Sequence, residues 1–251
     1  MAKRFELKYE SLVLELTRRC NMSCAHCLRG DAQALDMSKE IIRKALKNVK
    51  SISSLTLSGG EIALVPELIE YTLQTCIKND IDVYNIYAVT NGKVVPDSFL
   101  LALIHFHAYT AKCNNGEFDG YSAIALSIDD FHEEIPDANK ALIESLSFFA
   151  PEDHQKDFAF GKFDTLIDMG RAKTLLGYEK RSLRVYMPTV EFDEYDKSFW
   201  VEGFVYVTAK GDYLKTCDCS YDTQDEYKIG SIDDYSWLYK LAEKKIDMVA
   251  N

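Results

Sequence analysis

The chain has 251 residues, of which 47% are hydrophobic and 27% charged, proportions that exclude a disordered, collagen-like or disulfide-scaffold protein. Asp plus Glu number 40 against 29 Lys plus Arg, a formal charge of −11. A surface this acidic repels nucleic-acid phosphates and anionic lipid unless basic residues cluster, and no basic run exceeds a few residues.

In chain order, Leu12 to Leu16 reads as the first strand, and a loop carrying Cys20, Cys24 and Cys27 follows it. Ser38 is placed to cap a helix over 40–50, with Ile41, Ile42, Ala45, Leu46 and Val49 on one face. A short apolar strand over 54–61 ends in two glycines, and Pro66 opens a helix over 66–80 with Leu68, Ile69, Leu73, Cys76 and Ile77 inward. The third strand, 83–92, stops at Asn91-Gly92, and Pro96 starts a third helix over 97–109. A fourth strand over 122–130, a fourth helix over 137–150 stopped by Pro151, a fifth strand over 163–170 and a short helix over 171–178 continue the series. Strands alternating with helices at this spacing imply βαβ units and a mostly parallel sheet. Beyond residue 180 the alternation fades into strands over 181–192 and 200–217, with a hairpin turn at Ala209 to Asp212, and a closing helix over 231–250.

About 150 residues per domain sets the expectation at one to two domains. With no linker or repeat visible, we read one: a parallel barrel or part-barrel over 1–180, completed by C-terminal strands and a helix over 181–251. No apolar run reaches the ~20 residues of a membrane helix, and the charged start MAKRFELKYE has no apolar signal-peptide core. A cytoplasmic chain with reduced thiols is therefore expected. Seven cysteines in such a compartment point to metal or catalysis before disulfides.

The strongest chemical signal is Cys20-Asn-Met-Ser-Cys24-Ala-His-Cys27, a C-x3-C-x2-C loop at the end of the first strand. Three thiolates on one short loop reach one metal centre. A structural zinc takes four protein ligands, so a distant fourth would be needed. A [4Fe–4S] cluster held by three cysteines keeps one iron open for a substrate or cofactor. In parallel barrels reactive groups gather at the C-terminal strand ends. The second such end reads Leu57-Ser-Gly-Gly-Glu61, where glycines permit close backbone approach and Glu61 offers a carboxylate to an ammonium group.

Together, CNMSCAHC and SGGE resemble the signature of the radical S-adenosylmethionine superfamily, C-x3-C-x-φ-C at the end of strand one and GGE at the end of strand two. The resemblance covers roughly residues 12–172. It implies a partial (β/α)6 barrel and a [4Fe–4S] cluster whose open iron chelates the methionine amine and carboxylate of S-adenosylmethionine. One electron then gives methionine and a 5′-deoxyadenosyl radical, which abstracts hydrogen from substrate. By position, Cys20, Cys24 and Cys27 would bind the cluster. His26 takes the φ position near the adenine, where an aromatic residue is usual. Gly59, Gly60 and Glu61 would hold the methionine amine. Asn91 at the end of strand three, and Ser127 and Asp129 at the end of strand four, match positions near cofactor ribose or carboxylate. Ile167 to Gly170 resembles the strand-five adenine segment, and Arg171 is placed to meet the carboxylate. The resemblance also implies a reducing partner of the flavodoxin or ferredoxin type.

The substrate is open between a peptide, a protein and a small metabolite. An activase that installs a glycyl radical on a partner enzyme suits the length, although Leu28-Arg29-Gly30-Asp31 replaces the HN that many activases carry after the last cysteine. A non-catalytic zinc or iron–sulfur module is the reading from another class. His132, in Asp129-Asp-Phe-His132, is a candidate for substrate or cofactor contact. His105 and His107 read as packing or surface residues, and Cys76 as a small hydrophobe. Cys113 is read in a loop. Cys217 and Cys219 lie two apart, so in an extended chain both sulfurs face one side. With Cys113 they leave a second open cluster as the alternative to a structural or substrate-side role.

Overall fold

The computed structural model describes residues 5–116, 123–150, 165–183 and 185–249. Its strands are β1 (Glu6–Thr17), β2 (Val49–Gly59), β3 (Asp82–Thr90), β4 (Ala123–Leu126), β5 (Thr165–Ile167), β6 (Glu179–Arg181), β7 (Thr189–Asp193), β8 (Ser198–Val207), β9 (Asp212–Leu214) and β10 (Lys228–Ser231). The helices are α1 (Lys39–Ala45), α2 (Pro66–Lys78), α3 (Asp97–Cys113), α4 (Asp137–Glu144) and α5 (Ser236–Val249).

The fold is mixed α/β. β1, β2, β3 and β4 pair in parallel in that order. On its other edge β1 pairs in parallel with β8, so a strand from the tail makes β1 central. β7 and β9 flank β8 antiparallel, and β10 closes that edge. The sheet order is β10-β9-β8-β1-β2-β3-β4, while β5 and β6 form a separate parallel pair. No pairing among the described residues closes the main sheet into a barrel.

Centrality explains the composition of β1. Leu12, Val13, Leu14 and Leu16 are all buried, because a parallel strand is covered on both faces. Among the described residues no helix is long and apolar enough to cross a membrane.

Several elements depart from the sequence expectations. α1 ends at Ala45 instead of continuing to residue 50, because Asn48 turns left-handed with φ 63° and delivers Val49 directly into β2. In α2 the buried face includes Thr72 and Thr75, whose hydroxyls donate to Leu68 O and Tyr71 O at 2.8 Å each, and Ile77 is exposed. α4 stops at Glu144. Residues beyond it return along β4: Ile124 N donates to Phe148 O (3.0 Å) and Ala150 N to Ile124 O (2.9 Å). Satisfying the open edge of β4 outweighs continued helix there. The helix expected over 171–178 is a 3₁₀ turn over Gly170–Thr174, and Cys113 ends α3 rather than lying in a loop. β10 takes the start of the expected closing helix. Pro151 and the start of the expected fifth strand lie outside the described residues.

At the C-terminal end of β1 lies a fully buried ion pair, Arg18 Nε to Glu15 Oε2 at 3.0 Å. Arg18 also donates to Gln33 Oε1 (2.9 Å) and to Gln224, and its guanidinium lies 4.6 Å from the Tyr221 ring centroid. Glu15 accepts from Tyr206 Oη and Ala209 N, each at 2.8 Å. The pair thus ties β1 to β8 and to the tail. Arg18→Leu should lower the unfolding free energy by about 3–5 kcal/mol, because it strands a buried carboxylate. In urea melts the double variant Glu15→Leu/Arg18→Leu should be the more stable of the two.

Candidate active site

Thr17 is the last residue of β1, and the cysteine loop leaves the sheet there. Its stem is closed by Arg18 N to Leu35 O (2.8 Å), Gln33 N to Arg18 O (3.0 Å) and Met37 N to Leu16 O (2.8 Å). Cys20, Cys24 and Cys27 are half-buried, and Cys27 N donates to Cys24 O at 3.1 Å. Burial pushes the Cys20 and Cys24 thiols up, and the proximity of the other thiols pushes Cys24 further. Cys20 and Cys24 therefore resist ionising until a cation compensates them. The three sulfurs do not form a set within 4.8 Å of one another, whereas His26, Asp129 and His132 do. A tetrahedral zinc with Zn–S bonds of ~2.3 Å would need sulfurs about 3.8 Å apart. A cluster, with one thiolate on each of three irons, needs the wider spread.

The glycines at the exit of β2 have a local reason. Gly60 N donates to Thr17 O and Glu61 N to Arg19 O, both at 2.8 Å. A Cβ on Gly60 would lie 2.2 Å from Arg19 O, and one on Gly59 2.3 Å from Thr17 O. Only glycine lets the two strand exits touch. Glu61 is consequently buried. Its Oε1 accepts from Ala63 N (2.9 Å) and Thr90 Oγ1 (2.7 Å), and its Oε2 from Asn91 N (2.7 Å). Burial pushes its carboxyl up, and these three bonds only partly oppose the shift. Asn91 carries the contact onward: its Nδ2 lies 2.8 Å from Asn21 Oδ1 and 3.8 Å from Cys20 Sγ.

The strand-four end reaches the same mouth. Ser127 N donates to Thr90 O at 2.9 Å. Asp129 lies between two imidazoles, 3.1 Å from His26 Nε2 and 2.8 Å from His132 Nδ1, and accepts from Phe131 N at 2.8 Å. Burial works against its ionisation, but the nearby His132 and His26 rings prevail and hold the carboxyl well below the usual carboxylate range. The His26 ring stacks on Phe131 at 4.7 Å, and Phe131 meets Tyr178 at 5.1 Å. From the strand-five side, Arg171 N donates to Cys27 O at 3.0 Å. Gly170 (φ 52°) is pressed so close that a Cβ would lie 2.4 Å from Leu28 O. Arg171 Nη1 reaches Asp31 at 3.2 Å. Four nitrogens around this mouth, Asn21 Nδ2, His26 Nδ1, His132 Nδ1 and Arg171 Nε, are buried with no hydrogen-bond partner among the described residues. Such orphans mark a place where a ligand supplies partners.

The remaining cysteines separate. Cys219 is fully buried with Val13, Tyr206 and Leu214, and Cys217 packs on that group. Burial pushes the Cys219 thiol up to about 11, and Cys217 further, its Sγ standing 3.4 Å from Asp218 Oδ1. Cys113 instead lies near Cys76 on α2, whose thiol burial and Cys113 together push up to about 12. His105 pairs with Glu70 at 3.3 Å, and His107 stacks on Phe148 at 4.2 Å. Arg29, Thr90 and Tyr221 were not singled out by the sequence. Arg29 donates to Cys219 O (3.1 Å) and Tyr221 N to Arg29 O (3.0 Å), so the tail braces the cysteine loop.

No protein-family model and no curated protein matches the chain. Among solved structures, native anSMEcpe with bound AdoMet and the Cp18Cys peptide is similar at TM-score 0.54 and 15% identity, over 92% of this chain and 80% of that one. A histidine-tagged anSMEcpe with bound AdoMet gives 0.43 at 14% identity, covering 93% and 80%. Streptococcus suis SuiB bound to S-adenosylmethionine gives 0.39 at 13% identity over 95% of this chain, which spans 66% of SuiB. The first of these bears on the fold, and at that level the resemblance drawn from the two motifs holds.

Glu61→Ala would strip partners from two backbone amides and the Thr90 hydroxyl. The ligand-free chain should lose at least about 1–3 kcal/mol of stability, read from its denaturation midpoint.

Proposed function

We propose that the chain is a radical S-adenosylmethionine enzyme in which Cys20, Cys24 and Cys27 hold a [4Fe–4S] cluster and S-adenosylmethionine binds against the adjoining strand ends. The observation that carries this reading is the backbone lock between the cysteine-loop stem and the Gly59-Gly60-Glu61 turn, with Asn91 bridging to Cys20. The donor set fits: three sulfurs on one loop, spread wider than a zinc tetrahedron, with unpartnered nitrogens beside them. When bound, the cluster and S-adenosylmethionine supply a 5′-deoxyadenosyl radical for hydrogen abstraction.

The chain's own residues would position this chemistry. Glu61 Oε2 takes a single protein donor, which leaves it capacity to accept from the methionine amine, while Oε1 is committed to Ala63 and Thr90. Gly59 and Gly60 keep that backbone within reach. Arg171 Nε offers a donor to the methionine carboxylate, and Ser127 lines the side toward the nucleoside, with the His26–Asp129 pair at its edge. The buried Cys219 and the half-buried Cys217 have a structural role behind the loop. We read the sheet as the open wall of a part-barrel, with residues 181–251 completing the same domain as 1–180. AdoMet and a peptide are named with the anSMEcpe structure, which makes a peptide the substrate class of choice here. The electron would come from a flavodoxin- or ferredoxin-type partner, in the cytoplasm.

Anaerobic reconstitution should load about four irons and four sulfides per chain, and Cys20→Ala, Cys24→Ala and Cys27→Ala together should abolish loading. With a strong reductant, the loaded chain should release 5′-deoxyadenosine from S-adenosylmethionine. Stoichiometric zinc that iron never displaces would refute the reading.

A further inference from the structure

In the His26, Asp129 and His132 group, His132 Nδ1 is buried and makes no hydrogen bond among the described residues, although it stands 2.8 Å from Asp129 Oδ1. One ligand atom from each lies within 4.8 Å of the other two. The nitrogen–oxygen separations are 3.1 Å for His26 and 2.8 Å for His132, one to each carboxylate oxygen. At metal–ligand bonds of about 2.1 Å, ligand atoms on one ion stand about 3.0 to 4.2 Å apart, so three donors within 4.8 Å of one another are close to the span of a single ion. Two imidazoles and one carboxylate on one face leave the opposite positions open, the arrangement suited to divalent first-row metals.

The supports are already in place. Asp129 and His132 belong to one turn, closed by His132 N to Asp129 O at 3.2 Å, and the carboxylate is oriented by Phe131 N at 2.8 Å. The plane of His26 is fixed by stacking on Phe131. The side chains are only 12–21% exposed, which strengthens an ion's hold while leaving one side accessible.

We propose that His26, Asp129 and His132 form a divalent-metal site on the rim of the cysteine loop, taking a first-row transition ion whose open face binds a carbonyl, carboxylate or phosphate oxygen of a substrate. The site uses none of the three loop thiols and does not rest on the cluster reading.

Mn²⁺ is the suitable probe, because it favours oxygen and nitrogen over thiolate. Its six-line electron paramagnetic resonance signal is lost on binding, so the free ion is counted directly. Titrated into the full chain with its cysteines loaded, or into the chain as purified, Mn²⁺ should bind at one site per chain. Asp129→Asn and His132→Ala should each weaken binding at least tenfold. Glu134→Gln, which changes an exposed neighbouring carboxylate, should bind as the unaltered chain does. Circular dichroism separates folded from unfolded variants, and His132→Gln serves if His132→Ala unfolds. Failure to bind Mn²⁺, or equal affinity in all folded variants, overturns the proposal, whatever the iron content of the same sample.

Discussion

The site depends on one close approach, the contact between the exits of β1 and β2. Two backbone hydrogen bonds, Gly60 N to Thr17 O and Glu61 N to Arg19 O, join the stem of the cysteine loop to the turn that carries Glu61. Neither residue 59 nor residue 60 has room for a Cβ. The glycines are thus needed by the protein's own backbone before any ligand is considered. Because the turn is held so tightly, Glu61 is driven inward, and its bonds to Thr90 and Asn91 bring the exit of β3 into the same frame. Three strand ends are locked into one rim, and the cysteines hang from the first.

Around this rim the chain places charge where burial makes charge costly. Glu15 and Arg18 neutralise each other beneath the loop, and removing one would leave the other stranded. Asp129 is kept ionised by two imidazoles. The Cys20 and Cys24 thiols have no such cation among the described residues, and burial disfavours their thiolates. Metal binding to Cys20 and Cys24, whose thiols burial keeps neutral, would be coupled to proton release.

What was legible in the sequence was local. β1 to β4 alternate with α1 to α3 in the expected order, because apolar runs, Pro66, Pro96 and the Asn91-Gly92 stop are near-neighbour signals. The placement of the cysteine loop and the Gly-Gly-Glu turn at strand ends follows from the same signals. What was not legible depends on contacts far apart in the chain. Nothing near residue 200 announces that β8 pairs with β1, nor that Gln224 meets Arg18. Glu15 was a hint: a charge inside Leu-Val-Leu-Glu-Leu must be paired if the strand is central. Thr90 differs from any strand threonine only by what it faces. Cys113 is a further case, since α3 carries it toward Cys76 on α2, a neighbour that spacing in the chain does not announce.

In the proposed enzyme the cysteine loop and the Glu61 turn would form one receptor, sulfur on one side and the methionine end of S-adenosylmethionine on the other. Electron–nuclear double resonance on the reduced, cluster-loaded chain, with S-adenosylmethionine carrying ¹⁵N at its amine, tests this. A ¹⁵N hyperfine coupling to the cluster is expected, because the amine would ligate its open iron beside Glu61. A reduced cluster that gives no ¹⁵N coupling while S-adenosylmethionine is bound would contradict it.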